Sequence, residues 1–319
     1  MAANSVADPV VKSVINERRH HRRDKFLREL PLYLMVLPAI VLVAIYSYGP
    51  MFGLVMAFQR FTLSGGVFGS EFIGFDNFTR LFNMPNFWPV IRNTVVIAFS
   101  KMVGFIIVPV VFALLLNEIK NSGIKRGLQT MVYLPNFISW VILAGLFIDL
   151  LSPRTGLVNQ ALGFVGISPI FFLGDRFWFP VTMIVTDIWR GFGFGSIIYL
   201  AALSGIDPSL YESAQIDGAN RWKQTIHITL PGLTAIITLM TVLSMGGILN
   251  GGFDQIVNMY NPAVMATGDI LDTLVFRLGI EGAQFSIATA AGLFRSIVSL
   301  VFVVVSYYLA DKLAGYRIF

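Results

Sequence analysis

Five charged side chains stand inside otherwise apolar stretches: Lys101, Asp149, Asp187, Arg190 and Arg295. An ionisable group at the centre of a spanning helix costs about 2.5–3.5 kcal/mol on insertion scales, so such groups face a cavity or a partner. Asp187 and Arg190 are three positions apart on one helix face, and that spacing predicts an internal ion pair. Lys101 and Arg295 have no partner near them in sequence, which leaves them to an anionic ligand or to a charge on another chain. A second polar group, Tyr211-Glu-Ser-Ala-Gln-Ile-Asp-Gly-Ala-Asn-Arg-Trp-Lys223, carries both signs of charge between two long apolar runs.

Neither group resembles a catalytic centre. The chain has no cysteine and three histidines, two of them (His20 and His21) in a basic tail. This excludes a disulfide framework, a thiolate metal site and a cysteine nucleophile, and argues against a histidine metal site or triad. No serine has a histidine and a carboxylate within plausible reach, and no phosphate-cradling G-x-x-x-x-G-K-[ST] occurs. Gly191, Gly193 and Gly195 imitate part of a dinucleotide fingerprint but lie in an apolar run with no preceding strand, so close helix packing is their expected role. A membrane-embedded enzyme is therefore set aside.

The elements that must position these groups are membrane spans. Of 319 residues, 55% are hydrophobic and 13% charged, with a mean hydropathy of +0.72; a soluble domain is about a quarter charged. Six spans are expected: Pro31–Ala57, Val90–Leu116, Leu128–Leu151, Trp178–Leu203, Leu233–Leu249 and Gln284–Ala310. Spans four and five are read as interrupted, span four by Gly191, Gly193 and Gly195, and Pro109 and Pro135 mark spans two and three. The fold class is an all-α integral membrane protein of six transmembrane helices. Residues 1–29 form a basic tail, 30–319 the transmembrane domain, and 204–232 a polar loop.

Seven of the 23 Lys and Arg lie in the tail. The loop after span two adds Lys120, Lys125 and Arg126, and the loop after span four adds Arg221 and Lys223. The opposite side holds six arginines and no lysine, so both termini and the polar loop are expected in the cytoplasm. The run after the tail is too long for a cleavable signal. The net charge of +5 is explained by attraction to membrane lipid and by topology rather than by nucleic acid. The external segments are expected to form helical caps, and no internal repeat stands out.

The polar loop has a readable shape. Asp207-Pro208 predicts a helix start, with aspartate as cap and proline at the first helical position. Gly218 predicts the stop, a second helix restarts at Asn220, and Pro231 begins the next apolar run. Glu212-Ser213-Ala214, Asp217-Gly218-Ala219 and Ile228-Thr229-Leu230-Pro231 resemble the "EAA" motif of bacterial ABC importer permeases. Ser213 replaces the second motif alanine, and Thr225 stands where an aromatic is common, with Trp222 supplying bulk. An interfacial amphipathic helix is disfavoured because Glu212 and Asp217 interrupt any apolar face.

The resemblance runs from about Leu30 to the end. Phe112-Ala-Leu-Leu-Leu-Asn-Glu118, Tyr133-Leu-Pro-Asn136 with Ser139-Trp140, and Ile198-Tyr-Leu-Ala-Ala202 look like permeases of carbohydrate uptake, in the branch serving oligo- and polysaccharides, including uronate-containing ones. The ending Tyr316-Arg-Ile-Phe319 lacks the form typical of the second permease and suggests the first.

The resemblance implies a non-catalytic subunit in the bacterial inner membrane. Its implied partners are a second permease, two ATPase subunits that bring ATP and Mg, and an extracytoplasmic solute-binding protein. It implies that Tyr211, Glu212, Ser213, Ala214, Asp217, Gly218 and Ala219 engage the ATPase, with Leu210 and Tyr211 as apolar anchors. For a saccharide path the available residues are Asn136, Trp140, Trp189, Tyr199, Asn250, Gln255 and Tyr260, with Lys101 and Arg295 for an acidic sugar. An ion-coupled secondary transporter is the alternative, and it needs a lone midplane carboxylate, Asp149 or Asp187.

Overall fold

The computed structural model describes residues 28–247 and 249–314. Most of the basic tail and the C-terminal Tyr316–Phe319 lie outside them, together with the expectations placed there. The chain divides between Val55 and Met56 into two compact units. The first unit holds most of α1 (Arg28–Phe58), 31 residues long with a hydropathy of 2.2. Its turns widen to π over Ala44–Tyr48, where the Gly49 N–H reaches back to Ala44 O, immediately before Pro50. A proline has no N–H and its ring collides with the carbonyl four residues back, so a widened turn just ahead of it absorbs both defects.

The second unit opens with a two-residue antiparallel pairing of β1 (Gln59–Arg60) with β2 (Glu71–Phe72), followed by α2 (Asp76–Phe82). Buried Asn77 donates to both Ala57 O and Gln59 O at 2.9 Å, tying α2 to the strand. The rings of Phe58, Phe75 and Phe78 pack around that junction. Then come α3 (Phe87–Asn117), α4 (Ser122–Tyr133), α5 (Trp140–Leu150), α6 (Leu157–Phe164), α7 (Trp178–Ser204) and α8 (Pro208–Ile216). The chain continues as α9 (Arg221–Met245), α10 (Phe253–Met259), α11 (Leu271–Phe276) and α12 (Phe285–Ala314). Among the described residues five helices (α1, α3, α7, α9 and α12) are long and apolar enough to cross a membrane, six if α4 and α5 together count as one span.

That condition corrects the expected third span. Leu128–Leu151 is not one helix: Ser122–Phe137 and Trp140–Leu150 meet at 104°. Pro135 tightens Leu134–Phe137 into a 3-10 turn, Ile138 is extended, and the Ser139 hydroxyl accepts from Ile142 N to start α5. The expected interruptions of spans four and five also move. α7 runs unbroken through Gly191, Gly193 and Gly195. α9 begins at Arg221 rather than at Leu233 and ends at Met245, short of Leu249. Pro231 does not start it, because a π turn over Thr225–Thr229 carries the helix into the proline, as in α1.

The glycines of α7 serve packing, as their apolar setting predicts. A Cβ on Gly191 would stand 2.5 Å from Phe105, and one on Gly195 3.4 Å from Pro109, both on α3. A Cβ on Gly193 would stand 2.4 Å from the Val132 carbonyl oxygen of α4. Small residues let helices approach closely where lipid supplies no hydrophobic drive. The main core gathers Ile97, Trp140, Leu143, Phe147, Phe179, Met183 and Ile256 from α3, α5, α7 and α10. A second cluster joins Val110, Ala113, Tyr199, Leu203 and Leu233 towards the other end of the spans.

Because backbone cannot yield as a flexible side chain can, Gly193→Ala is expected to destabilise the purified chain by about 1–3 kcal/mol, the usual cost of overpacking. Gly163→Ala meets open space and is the control. Equal thermal unfolding midpoints for the two variants in detergent would refute the close approach of α4 and α7.

Candidate functional site

At the middle of α3, Lys101 is 4% exposed and surrounded by acceptors. Its Nζ lies 2.9 Å from Asp187 Oδ2 on α7, 2.9 Å from Gly251 O and 2.6 Å from Gln255 Oε1 on α10. Gln255, fully buried, donates its amide to Met183 O and to the Thr186 hydroxyl, at 2.9 and 2.7 Å. Gly252 has φ +86°, and a Cβ there would stand 2.7 Å from Lys101 Nζ, so only glycine fits this turn. The segment expected to cap the outside therefore dips to the depth of Lys101, and two residues expected along a substrate path, Lys101 and Gln255, hold each other.

The expected Asp187–Arg190 pair does not form, because Asp187 is drawn to Lys101. Arg190 turns instead to the broken span. Its Nε donates to Ile138 O and its Nη2 to Asn136 O, both at 3.2 Å, and its guanidinium lies 5.1 Å from the centre of the Trp140 ring. A helix end leaves carbonyls without partners, and a cation placed there satisfies them. Asn136, Trp140 and Arg190 are thus brought together. Trp189 packs its ring edge-on to Phe147 at 5.6 Å and stays 43% exposed.

Arg295 also finds a partner that sequence proximity does not show, Asp272 on α11. Beside it, Arg277 forks onto buried Asp269, which also accepts from Thr273. The hydrogen bond to Asp269 raises the Arg277 pKa, and Tyr260 nearby adds to it. Asn250 is exposed and accepts from Gly252 N. Tyr199 is buried in the core between α3, α7 and α9. The expected path residues are thus distributed over separate clusters. Asp149 is exposed at the end of α5.

The polar loop has the expected elbow form. Asp207 caps α8 by accepting from Ser209 N at 2.9 Å, with Pro208 at the first helical position. The Ser209 N–H holds the Asp207 carboxyl below the usual aspartate range. That stabilisation is complete above the ordinary pKa and fades only as pH falls through the lowered value, so the cap is fully formed at neutral pH. Gly218 has φ +77°, and the Gly218 and Ala219 N–H groups close the helix onto Gln215 O and Ala214 O. Asn220 restarts the chain as cap of α9, accepting from Lys223 N at 2.9 Å.

One contact within the elbow is not signalled by the sequence: the half-exposed Tyr211 places its hydroxyl 3.0 Å from Thr229 Oγ1 of α9 and ties α8 to α9. The exposed apolar side chains are Leu210, Ile216 and Trp222, 51%, 88% and 71% accessible, next to exposed Glu212, Ser213 and Asp217. Under the elbow, Arg221 pairs with Glu118 at the end of α3. A cavity of about 250 Å³ lies there, lined by Leu114, Asn117, Glu118, Tyr211, Gln215, Arg221, Gln224, Thr225 and Thr229. Residue spacing gives no sign of the Glu118–Arg221 bridge, although Asn117-Glu118 closes one of the family-like stretches.

Polar clusters around Lys101, Arg190 and Arg295 thus lie within the spans, and a capped polar elbow lies at one end of them. Residues 106–315 match the model of the family described as "binding-protein-dependent transport system inner membrane component". The chain belongs to this family, the permeases of ABC importers. The polygalacturonan/rhamnogalacturonan transport system permease protein YteP of Bacillus subtilis (strain 168) is 39% identical over 306 residues, 95% of each chain. A solved bacterial ABC transporter "involved in the import of the acidic polysaccharide alginate" superposes with a TM-score of 0.84 at 40% identity, covering 92% of this chain and 99% of that one. A second structure, of the alginate ABC transporter with an "alginate pentasaccharide-bound periplasmic protein", matches with the same score at 39% identity, over 92% and 99% of the two chains. Of the two carboxylates an ion-coupled alternative would need, Asp187 is paired with Lys101 and Asp149 is exposed at the end of α5.

The Lys101–Asp187 node yields a test of the permease core. Lys101→Met strands a carboxylate in the spans and is expected to cost about 3–5 kcal/mol, whereas Lys101→Met with Asp187→Leu is expected to recover most of it. The readout is a double-mutant cycle on unfolding in mixed micelles. Additive losses would mean that the two charges do not depend on each other.

Proposed function

We propose that this chain is the first permease subunit of an ATP-driven importer that carries a uronate-containing oligo- or polysaccharide into a bacterial cytoplasm by alternating access. The observation that carries the coupling part of the reading is the elbow at 207–231, a capped helix and a glycine turn leading without a break into a spanning helix. A surface of Glu212, Ser213, Asp217, Leu210, Ile216 and Trp222 suits insertion into a groove of a cytoplasmic ATPase, while Tyr211, Ala214, Gly218 and Ala219 keep the elbow rigid. Two copies of that ATPase supply ATP and Mg, and this chain performs no hydrolysis. A second permease completes the pore, and an extracytoplasmic solute-binding protein delivers the saccharide.

Topology follows from the same arrangement. Lys120, Lys125, Arg126, Arg221 and Lys223 gather at the elbow end of the spans, which supports a cytoplasmic elbow, cytoplasmic termini and residence in the inner membrane. The acidic substrate is supported by the relatives named for polygalacturonan, rhamnogalacturonan and alginate.

Two substitutions test the coupling surface. Glu212→Lys reverses the charge of the exposed face, and Gly218→Val forces a branched side chain into φ +77°. Both are expected to leave membrane insertion intact, abolish co-purification of the ATPase and reduce saccharide uptake at least tenfold, the effect of losing about 1.4 kcal/mol of coupling. Normal uptake with full ATPase retention in both variants would remove the elbow from this role.

A further inference from the structure

Among the described residues, three cations lie well inside the spans, away from the helix ends. Lys101 meets Asp187 and Arg295 meets Asp272, but Arg190 at the middle of α7 meets no carboxylate among the described residues. The pairing of Asp187 with Lys101 takes away the partner that sequence spacing offers it. The carbonyls of Asn136 and Ile138 occupy two of its donors, and a guanidinium has five, so three N–H groups and a full positive charge are left over. Main-chain carbonyls satisfy hydrogens without cancelling charge. A bare charge at this depth is costly unless something in the transport cycle meets it.

The neighbouring side chains narrow what that is. Phe194 lies one helical turn from Arg190 on the same face of α7. Phe137 sits between the two residues whose carbonyls hold Arg190. The Phe137 and Phe194 rings meet edge to face, centroids 6.1 Å apart, and remain 73% and 49% exposed. Trp140 beneath the guanidinium is buried and holds it in place. Exposed aromatic faces suit the C–H surfaces of a sugar ring, and a guanidinium with donors to spare takes a carboxylate through paired N–H groups.

We propose that Arg190, with Phe137 and Phe194, forms a site in the broken span that binds the carboxylate of an acidic sugar during translocation. This deepens the saccharide-import reading and rests on it. The site selects for charge inside the membrane, separately from any selection by the solute-binding protein.

The test uses the complete importer in proteoliposomes, with both permeases, the ATPase and the solute-binding protein. The probes are a galacturonate oligosaccharide and its uncharged methyl ester. Arg190→Gln is expected to raise the half-saturating concentration of the acid about tenfold or more relative to the ester, the scale of a lost charged hydrogen bond. The solute-binding protein contributes equally before and after the substitution, so the change in the acid-to-ester ratio reports on the permease. Arg190→Lys keeps the charge but not the fork, and its ratio is expected to change in the same direction by a smaller factor; it carries the test if Arg190→Gln does not reach the membrane. Phe194→Ala is expected to weaken both probes alike. Equal changes for acid and ester in the Arg190 variants would reduce Arg190 to a prop for the broken span. Loss of the second permease on purification of Arg190→Gln would place the missing counter-charge on that subunit and also overturn the site. Wild-type uptake of neither probe would sink the saccharide reading itself, a result distinct from an unchanged ratio.

Discussion

Hydrocarbon offers no water to a buried charge, and the Lys101 ammonium shows how this permease meets that demand. One nitrogen collects a carboxylate from α7, a main-chain carbonyl and a side-chain amide from the segment around α10. Removing any of the three leaves a polar group stranded where an unsatisfied group costs several kcal/mol. The contact therefore decides more than local stability. It requires Gly252 in a left-handed turn, draws α10 down between α5 and α7, and takes Asp187 away from Arg190. The segment that the chain's polarity places outside becomes part of the membrane core.

The same demand shapes the broken span. Turning a helix through 104° inside the spans frees carbonyls at the bend, and Arg190 lies where it can accept the obligation. At the elbow the solution is opposite. There the side chains are exposed to water, and the caps Asp207 and Asn220, the left-handed Gly218 and the Tyr211–Thr229 contact hold the shape. The Glu118–Arg221 bridge is solvent-exposed and contributes little energy. Its value is positional, since it joins the end of α3 to the start of α9.

Local signals in the sequence are legible where a single residue forces a single outcome. Asp207-Pro208, Gly218 and Asn220 each act through their own backbone, so the elbow can be read from residue order alone. The small glycines of α7 are likewise readable as packing. Pairing is not legible, because partners such as Lys101 and Asp187, or Arg295 and Asp272, are far apart in sequence and meet only through tertiary packing. The i,i+3 rule points Asp187 to Arg190, and a cation distant in sequence, Lys101, takes it instead. Pro231 misleads for a related reason: a proline marks a break only when the preceding turn cannot widen, and over Thr225–Thr229 it does. Tyr211 looks like an anchor for another protein, yet Thr229 sits within reach of its hydroxyl.

That widened turn makes α9 a single rod of 25 residues from the elbow to the far end of the span, about 37 Å at the usual rise per residue. A rod of that length works as a lever. Tilting its elbow end by about 10° swings the other end by about 6 Å. No loop lies between the elbow and the far end of that helix. Any displacement at the elbow is therefore carried along the helix in proportion to its length, with the widened turn before Pro231 part of the same continuous rod.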